Sequence, residues 1–252
     1  MSTSPAHGRL EPVVQESTPG LIAARIREAI ATGVIPPGAQ VSEAEYARQL
    51  NVSRGPLREG LQRLAQESLL TAHRNRGHFV IEMTPENVVD MYVARAAVER
   101  AAAALVHQRD RDAAAAELLA LCDEMAEAAK SNDTRRVSEL DIRFHKAYVH
   151  SSGSPRLIRI HETLMTETRM CIAALEPTYA VGDTRVAEHR RIASSFIKGD
   201  PAETDRLLVE HMDDAVRRLT QEGQQSDHLE ANSARQGPLS WPEARLTRCL
   251  AR

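Results

Sequence analysis

The chain contains no long apolar run: its hydrophobic stretches are short and interrupted, and its first twenty residues, MSTSPAHGRLEPVVQESTPG, are polar and dotted with proline. A membrane span needs about 20 apolar residues, and a secretory leader needs an apolar centre, so neither is expected. Cysteine is scarce. The three present, at 122, 171 and 249, are too far apart for a zinc knuckle, and their odd number argues against a disulfide framework. A reducing cytoplasm is the expected location. Aromatic residues amount to only 3%. Alanine-rich stretches such as ARAAVERAAAALVHQ and RDAAAAELLALCDEMAEAAK fill the middle of the chain instead, and they favour helix. No internal repeat is visible.

What is present describes a globular protein: 252 residues, 42% hydrophobic and 27% charged, enough for two ordinary domains. The formal charge of −3 is unevenly distributed. Residues 54 to 76 hold Arg54, Arg58, Arg63, Arg74 and Arg76 against only Glu59 and Glu67, a basic patch on an acidic chain.

From Pro19 to Thr32, Leu21, Ile22, Ile26, Ala29 and Ile30 recur at helical spacing before GVIPPG turns the chain. Ser42 can cap a short helix through Leu50, and Asn51 closes it. Ser53 can cap the next, which runs to about Gln66 with Pro56 tolerated in its first turn. Two helices joined by three or four residues make a helix-turn-helix. LLTAHRNRGHFVIEM then reads as two strands, Leu69 to His73 and His78 to Ile81, around a tight turn containing Gly77, which is a wing.

Helices follow without interruption: from Pro85, capped by Thr84, to about His107, then at roughly 111–130, 133–151, 155–175, 184–198 and 201–222, with turns at RDRD, SND, SSGSP, EPTYAVGD and KGDP. The fold class is mainly α: an N-terminal winged helix-turn-helix followed by an all-α antiparallel bundle. The expected division is a flexible tail over 1–17, a DNA-binding domain over 18–82, a helical domain over 83–222 and a loose tail over 223–252, in which Trp241 docks transiently.

A recognition helix turns its N-terminal residues to base edges. Here that end is SRGPLREGLQRL, with Arg54 and Arg58 at i and i+4 on one face and Leu57, Leu61 and Leu64 on the other. Arginine's planar fork can pair with guanine or clamp a phosphate. Ser53 is a candidate phosphate contact besides a cap. Arg74, Arg76 and His78 around the wing can reach a DNA backbone or minor groove, while Arg63 lies too far from the helix start. The stretch GAQVSEAEYARQLNVSRGPLREGLQRLAQESLL, followed by RGHFV, resembles the DNA-binding domain of the GntR family of bacterial transcription regulators. Its hallmark V-S-R-x-P-x-R-E-x-L stands here as Val52, Ser53, Arg54, Pro56, Arg58, Glu59 and Leu61. The resemblance implies that Arg54 and Arg58 contact operator DNA. Some members carry a further arginine where this chain has Ala44, which implies a different operator choice.

In SELDIRFHKAYVHSSGSP, Asp141 and His145 are four positions apart within an apolar helical pattern, so they stack on the face a helix should bury. His189 lies ten residues before Gly199 and His211 twelve after it, side by side in an antiparallel hairpin. Three helices can thus point one carboxylate and three imidazoles into one interior, a costly burial that a divalent metal resolves. The donors suit zinc, nickel, iron or manganese, zinc first, and leave coordination positions open. The competing reading has these four serving separately as caps or surface groups. His107, His150 and His161 show no such partners in the sequence.

This pattern resembles the FCD ligand-binding domain of the FadR subfamily: D-x-x-F-H at Asp141, Phe144 and His145, Ser152 and Gly153 with Ser154 in place of asparagine, then His189, Gly199, Asp200 and His211. The resemblance, over about residues 18 to 222, implies a divalent metal beside a small carboxylate effector. YVARAAVERAAAAL resembles that domain's first helix, which implies Arg95 as an effector contact. A metal with open positions could also activate water, making the chain a hydrolase fused to a DNA-binding module. No further base is compelled into the pocket, however, since Glu188 and Asp213 are expected to point elsewhere. A switch is the better reading. The partners expected are double-stranded, palindromic operator DNA, a small organic acid and a second copy of the chain in a homodimer, with repression the commoner sign in the family.

Overall fold

The computed structural model describes residues 17–175 and 183–227. The expected N-terminal tail apart from its last residue, most of the EPTYAVGD turn, and Trp241 lie outside them. Helix α1 (Thr18–Ala31) starts where Ser17 accepts a hydrogen bond from the Gly20 amide, with proline in its first turn. After strand β1 (Gln40–Val41), Ser42 caps α2 (Glu43–Gln49) through the Glu45 amide. The chain then turns at Asn51, whose φ of 51° suits asparagine, and enters α3 (Arg54–Gln66). Ser53 occupies the capping position of α3, but its side chain makes no capping bond, contrary to expectation.

The wing is β2 (Leu70–His73) and β3 (Gly77–Val80), within a residue of the expected bounds. The three strands form an antiparallel sheet of order β1-β3-β2, with Gln40 opposite Phe79 and Val41 opposite His78. Sequence patterning missed β1, since two residues are too few to show a period. Ile22, Ile26 and Ile30 of α1 meet Leu57, Leu61 and Leu64 of α3 and Leu69, Leu70 and Val80 of the sheet in one core. A Cβ on Gly60 would stand 3.0 Å from Ile22 Cγ2 and 3.1 Å from the Pro19 carbonyl oxygen. The missing side chain lets α1 and α3 close together.

Six further helices follow among the described residues: α4 (Pro85–His107), α5 (Arg111–Lys130), α6 (Thr134–Ser151), α7 (Pro155–Leu175), α8 (Asp183–Lys198) and α9 (Pro201–Asp227). Thr84, Asp110 and Asp133 cap α4, α5 and α6 by accepting from the amides of Asn87, Ala113 and Arg136. Helix α9 runs five residues past the expected end at 222. Helix α5 packs on α6 and α8, and α4 packs on α6, α7 and α9. Leu118, Met125, Leu140, Phe144, Tyr148 and Phe196, all fully buried, fill the centre. No helix among the described residues is long and apolar enough to cross a membrane.

Leu61→Ala should destabilise the winged helix by about 2–5 kcal/mol, the range for emptying a close-packed leucine site. The measurement is urea unfolding followed by hydrogen exchange in α1 and α3; a loss below about 1 kcal/mol would contradict the packing described.

Candidate functional site

The recognition helix is amphipathic. Leu57, Leu61 and Leu64 are 0% exposed, whereas Ser53, Arg54 and Arg58 face solvent. Arg58 donates through Nε to Glu43 Oε1 (3.2 Å) and through Nη2 to Glu43 Oε2 (2.9 Å), so α2 holds the guanidinium in place. Hydrogen bonding from Arg58, with burial opposing and the nearby charges of Arg58, His78 and Arg54 assisting, keeps the Glu43 carboxyl below its ordinary value. The wing and the start of α3 therefore share one field. Arg74 and Arg76 are exposed, His78 is half-buried, and Arg76 lies over the Phe79 ring, 5.3 Å from its centroid.

In the bundle, Asp141 and His145 from α6, His189 from α8 and His211 from α9 are all buried, and one ligand atom from each lies within 4.8 Å of the others. His145 Nε2 and His211 Nε2 are 3.2 Å apart. His189 Nε2 is 3.1 Å from Asp141 Oδ1, yet too poorly aligned for a hydrogen bond. Two ligands about 2.0–2.1 Å from one ion stand about 2.8–3.4 Å apart between octahedral and tetrahedral angles, which brackets both separations.

The opposite edges of the rings fix where the protons are. His145 Nδ1 faces Glu99 Oε2 at 2.9 Å, His189 Nδ1 faces the Arg185 carbonyl oxygen at 2.8 Å, and His211 Nδ1 faces Glu188 Oε2 at 3.2 Å. A carbonyl or ionised carboxylate only accepts, so each imidazole donates from Nδ1. Glu99 is ionised: burial opposes its charge, but Arg95 and His145 hold its carboxyl well below the usual range. Glu188 is pulled down to about 2, the penalty of burial being outweighed by His211 and Arg218. Burial and the Arg95 charge push His145 down to about 3, and burial lowers His211 as well. The neutral rings of His145 and His211 thus present bare Nε2 lone pairs to each other. Asp141 lies beside them, its carboxyl held well below the usual range because His189, His145 and the Arg185 guanidinium outweigh the burial penalty.

Glu99 on α4 escaped notice in the sequence. Fully buried, it accepts from Arg95 Nε (2.6 Å) and His161 Nε2 (2.9 Å) on Oε1, and from His145 and the Tyr148 hydroxyl on Oε2. Its signal was the spacing Arg95-x-x-x-Glu99 on a helix whose alanines leave few other polar groups to bury. His161 is likewise buried and bonded, although nothing in the sequence paired it. Glu188 points into the site rather than away, because the α8–α9 hairpin stacks it on His211. Arg95 is 1% exposed, and its Nη2 is buried without a hydrogen-bond partner.

A winged helix carrying an arginine-lined recognition helix, joined to a helical bundle with a buried polar centre, is the build of a DNA-binding regulator with a sensing domain. The sequence matches the family described as "Bacterial regulatory proteins, gntR family" over residues 20–80 and the FCD domain over residues 90–214. It is 30% identical over 187 residues to the "Probable D-xylose utilization operon transcriptional repressor" of Paenarthrobacter nicotinovorans, covering 73% of this chain and 80% of that one. The structure described as "the crystal structure of a putative transcriptional regulator GntR from Rhodococcus sp. RHA1" superposes with a TM-score of 0.66 at 26% identity, covering 80% of this chain and 96% of that one. E. coli McbR/YncC shares the fold, with a TM-score of 0.71 at 21% identity over 83% of this chain and 100% of that one. The chain belongs to the GntR family of DNA-binding transcription regulators and carries an FCD domain. With family, relatives and structural neighbours all regulators, the hydrolase alternative falls away.

With chelator present, the urea midpoint should fall as pH drops from about 6.5. Unfolded histidines bind protons there while native His145 refuses them down to about 3. At His145 and His211 the native state then holds fewer protons, and each such histidine removes up to about 1.4 kcal/mol per pH unit, offset in part by Glu167, whose carboxyl burial raises to about 7. A flat profile between about pH 7 and about pH 5 would contradict neutral, buried histidines.

Proposed function

We propose that this regulator is an effector-responsive repressor whose FCD domain binds a divalent metal and a small carboxylate. In this reading residues 18–82 bind DNA and 83–222 sense the ligand. The observation that carries it is the proton arrangement at the centre: three imidazoles commit Nδ1 to acceptors and converge through Nε2 on a buried carboxylate. Lone pairs so arranged in a dry interior repel one another unless a cation stands among them. Asp141, His145, His189 and His211 would hold it. Zinc is the first candidate, ahead of nickel, manganese and iron, since three nitrogens and one oxygen suit all four. The ion would supply a positive centre with open positions for an anionic ligand. Arg95, cationic because Glu99 and neighbouring negative groups outweigh its burial, would add a second anchor through the buried Nη2.

At the other end, Arg54 and Arg58 read the major groove of operator DNA, Ser53 meets a phosphate, and Arg74, Arg76 and His78 follow the backbone or minor groove beside the wing. Two copies in a homodimer would present two recognition helices to a palindromic operator, and the effector would change their spacing or freedom. The repressor names carried by relatives support that sign.

Purified full-length protein reconstituted with zinc should contain about one ion per chain, and His189→Ala should lose it while the winged helix stays folded; a full complement in that variant would refute the four-ligand centre. Arg58→Ala should weaken binding to a selected operator by about 1–3 kcal/mol in gel-shift titration and leave zinc content intact. Unchanged DNA affinity would remove Arg58 from the reading surface.

A further inference from the structure

Helix α7 packs on α1 of the winged helix and on α4, α6 and α9 of the bundle. At its N-terminal half, His161 donates to the Glu99 oxygen that also accepts from Arg95, while the other Glu99 oxygen accepts from His145 Nδ1. All the side chains of this network are 2% exposed or less. Along its middle, Leu164 and Cys171 pack with Val88, Met91, Tyr92 and Met212 of α4 and α9, and Met165 and Ile172 pack on Ile142 of α6.

Nine residues beyond His161, Met170 is 0% exposed and belongs to the core of the winged helix, among the isoleucines of α1 and the leucines of α3. Beside it Arg169 donates from Nη1 and Nη2 to the two carboxylate oxygens of Glu28 on α1, both at 2.8 Å. A Cβ on Gly33, just past the end of α1, would meet Ala173 Cβ at 3.6 Å. The two ends of one rigid helix are thus built into two different cores. Such an element cannot shift at one end without disturbing the packing at the other, because close-packed interiors transmit displacement instead of absorbing it.

We propose that α7 is the link by which the state of the metal centre reaches the DNA-binding domain, joined to the centre through His161 and Glu99 and to the winged helix through Met170 and the Arg169–Glu28 pair. It rests on the metal reading above. Glu99 is the positioning residue: fixing the proton on His145 Nδ1 aims Nε2 inward, and the same carboxylate fixes His161 and with it the register of α7. An ion or ligand that moves His145 or Arg95 must change the bonds Glu99 offers to α7. The covalent route from wing to bundle, through Thr84 and Pro85 into α4, is the alternative path.

Hydrogen exchange of the full-length chain, with and without zinc alone, separates these routes. In the wild type, zinc should slow exchange in α8 and α9 around His189 and His211 and also in α1. In Arg169→Ala/Met170→Ala, and separately in His161→Leu, the response in α8 and α9 should persist and that of α1 should be lost. If the double variant does not fold, Arg169→Ala alone and His161→Leu carry the test. A wild-type response confined to α8 and α9 would overturn the link and leave the metal centre standing. An α1 response that survives in the variants would overturn it in favour of the α4 route. No response in any helix would remove the metal reading itself, and the link with it.

Discussion

The bundle is organised around one buried carboxylate. Glu99 gathers a guanidinium, two imidazoles and a phenol from α4, α6 and α7. Buried charge is rarely a net source of stability, since desolvation offsets much of the attraction. What such a group imposes is uniqueness: Arg95 Nε, His145 Nδ1, the Tyr148 hydroxyl and His161 Nε2 each meet one oxygen of Glu99, and a rotated or shifted helix would strand a charge in the interior. The apolar core of Leu118, Met125, Leu140, Phe144 and Phe196 drives the helices together but would tolerate small slips. The Glu99 network does not.

The same constraint determines the chemistry available nearby. An acceptor behind each imidazole makes all three rings donors of a lone pair to the same small volume, and the fourth group there is a carboxylate. At the DNA-binding end the design is the reverse. Arg54, Arg58, Arg74 and Arg76 lie in water, where they can exchange solvent and counterions for phosphate and base contacts. Glu43 on α2 holds the exposed Arg58 guanidinium through two hydrogen bonds.

Much of this was legible in the chain. Helical periodicity, cap residues and glycine or asparagine turns placed α1 to α8 within a residue or two, since these signals act within a turn or two of the chain. The positions Asp141, His145, His189 and His211 were also readable, because the i, i+4 spacing and the mirror placement of the last two about the 198–201 turn are local facts. Less legible were features that depend on which helices become neighbours. His161 looked unpartnered because its partner is 62 residues away, and Glu188 looked outward because its own helix gives no sign that α9 lies against it. The two-residue strand β1 left no periodic trace, and Ser53 sat in a capping position without making the bond.

Local chemistry in the chain set the helices, the polarity of the recognition helix and the two pairs Asp141/His145 and His189/His211, because each depends on one helix or one hairpin, whereas the meeting of the two pairs depends on how α6 packs against α8 and α9. Tertiary structure alone decided which proton sits on which imidazole nitrogen, that Arg95 is held by Glu99, and that α7 carries Met170 into the core of the other domain. Those outcomes depend on packing between distant segments, whose free energy no single stretch of sequence contains.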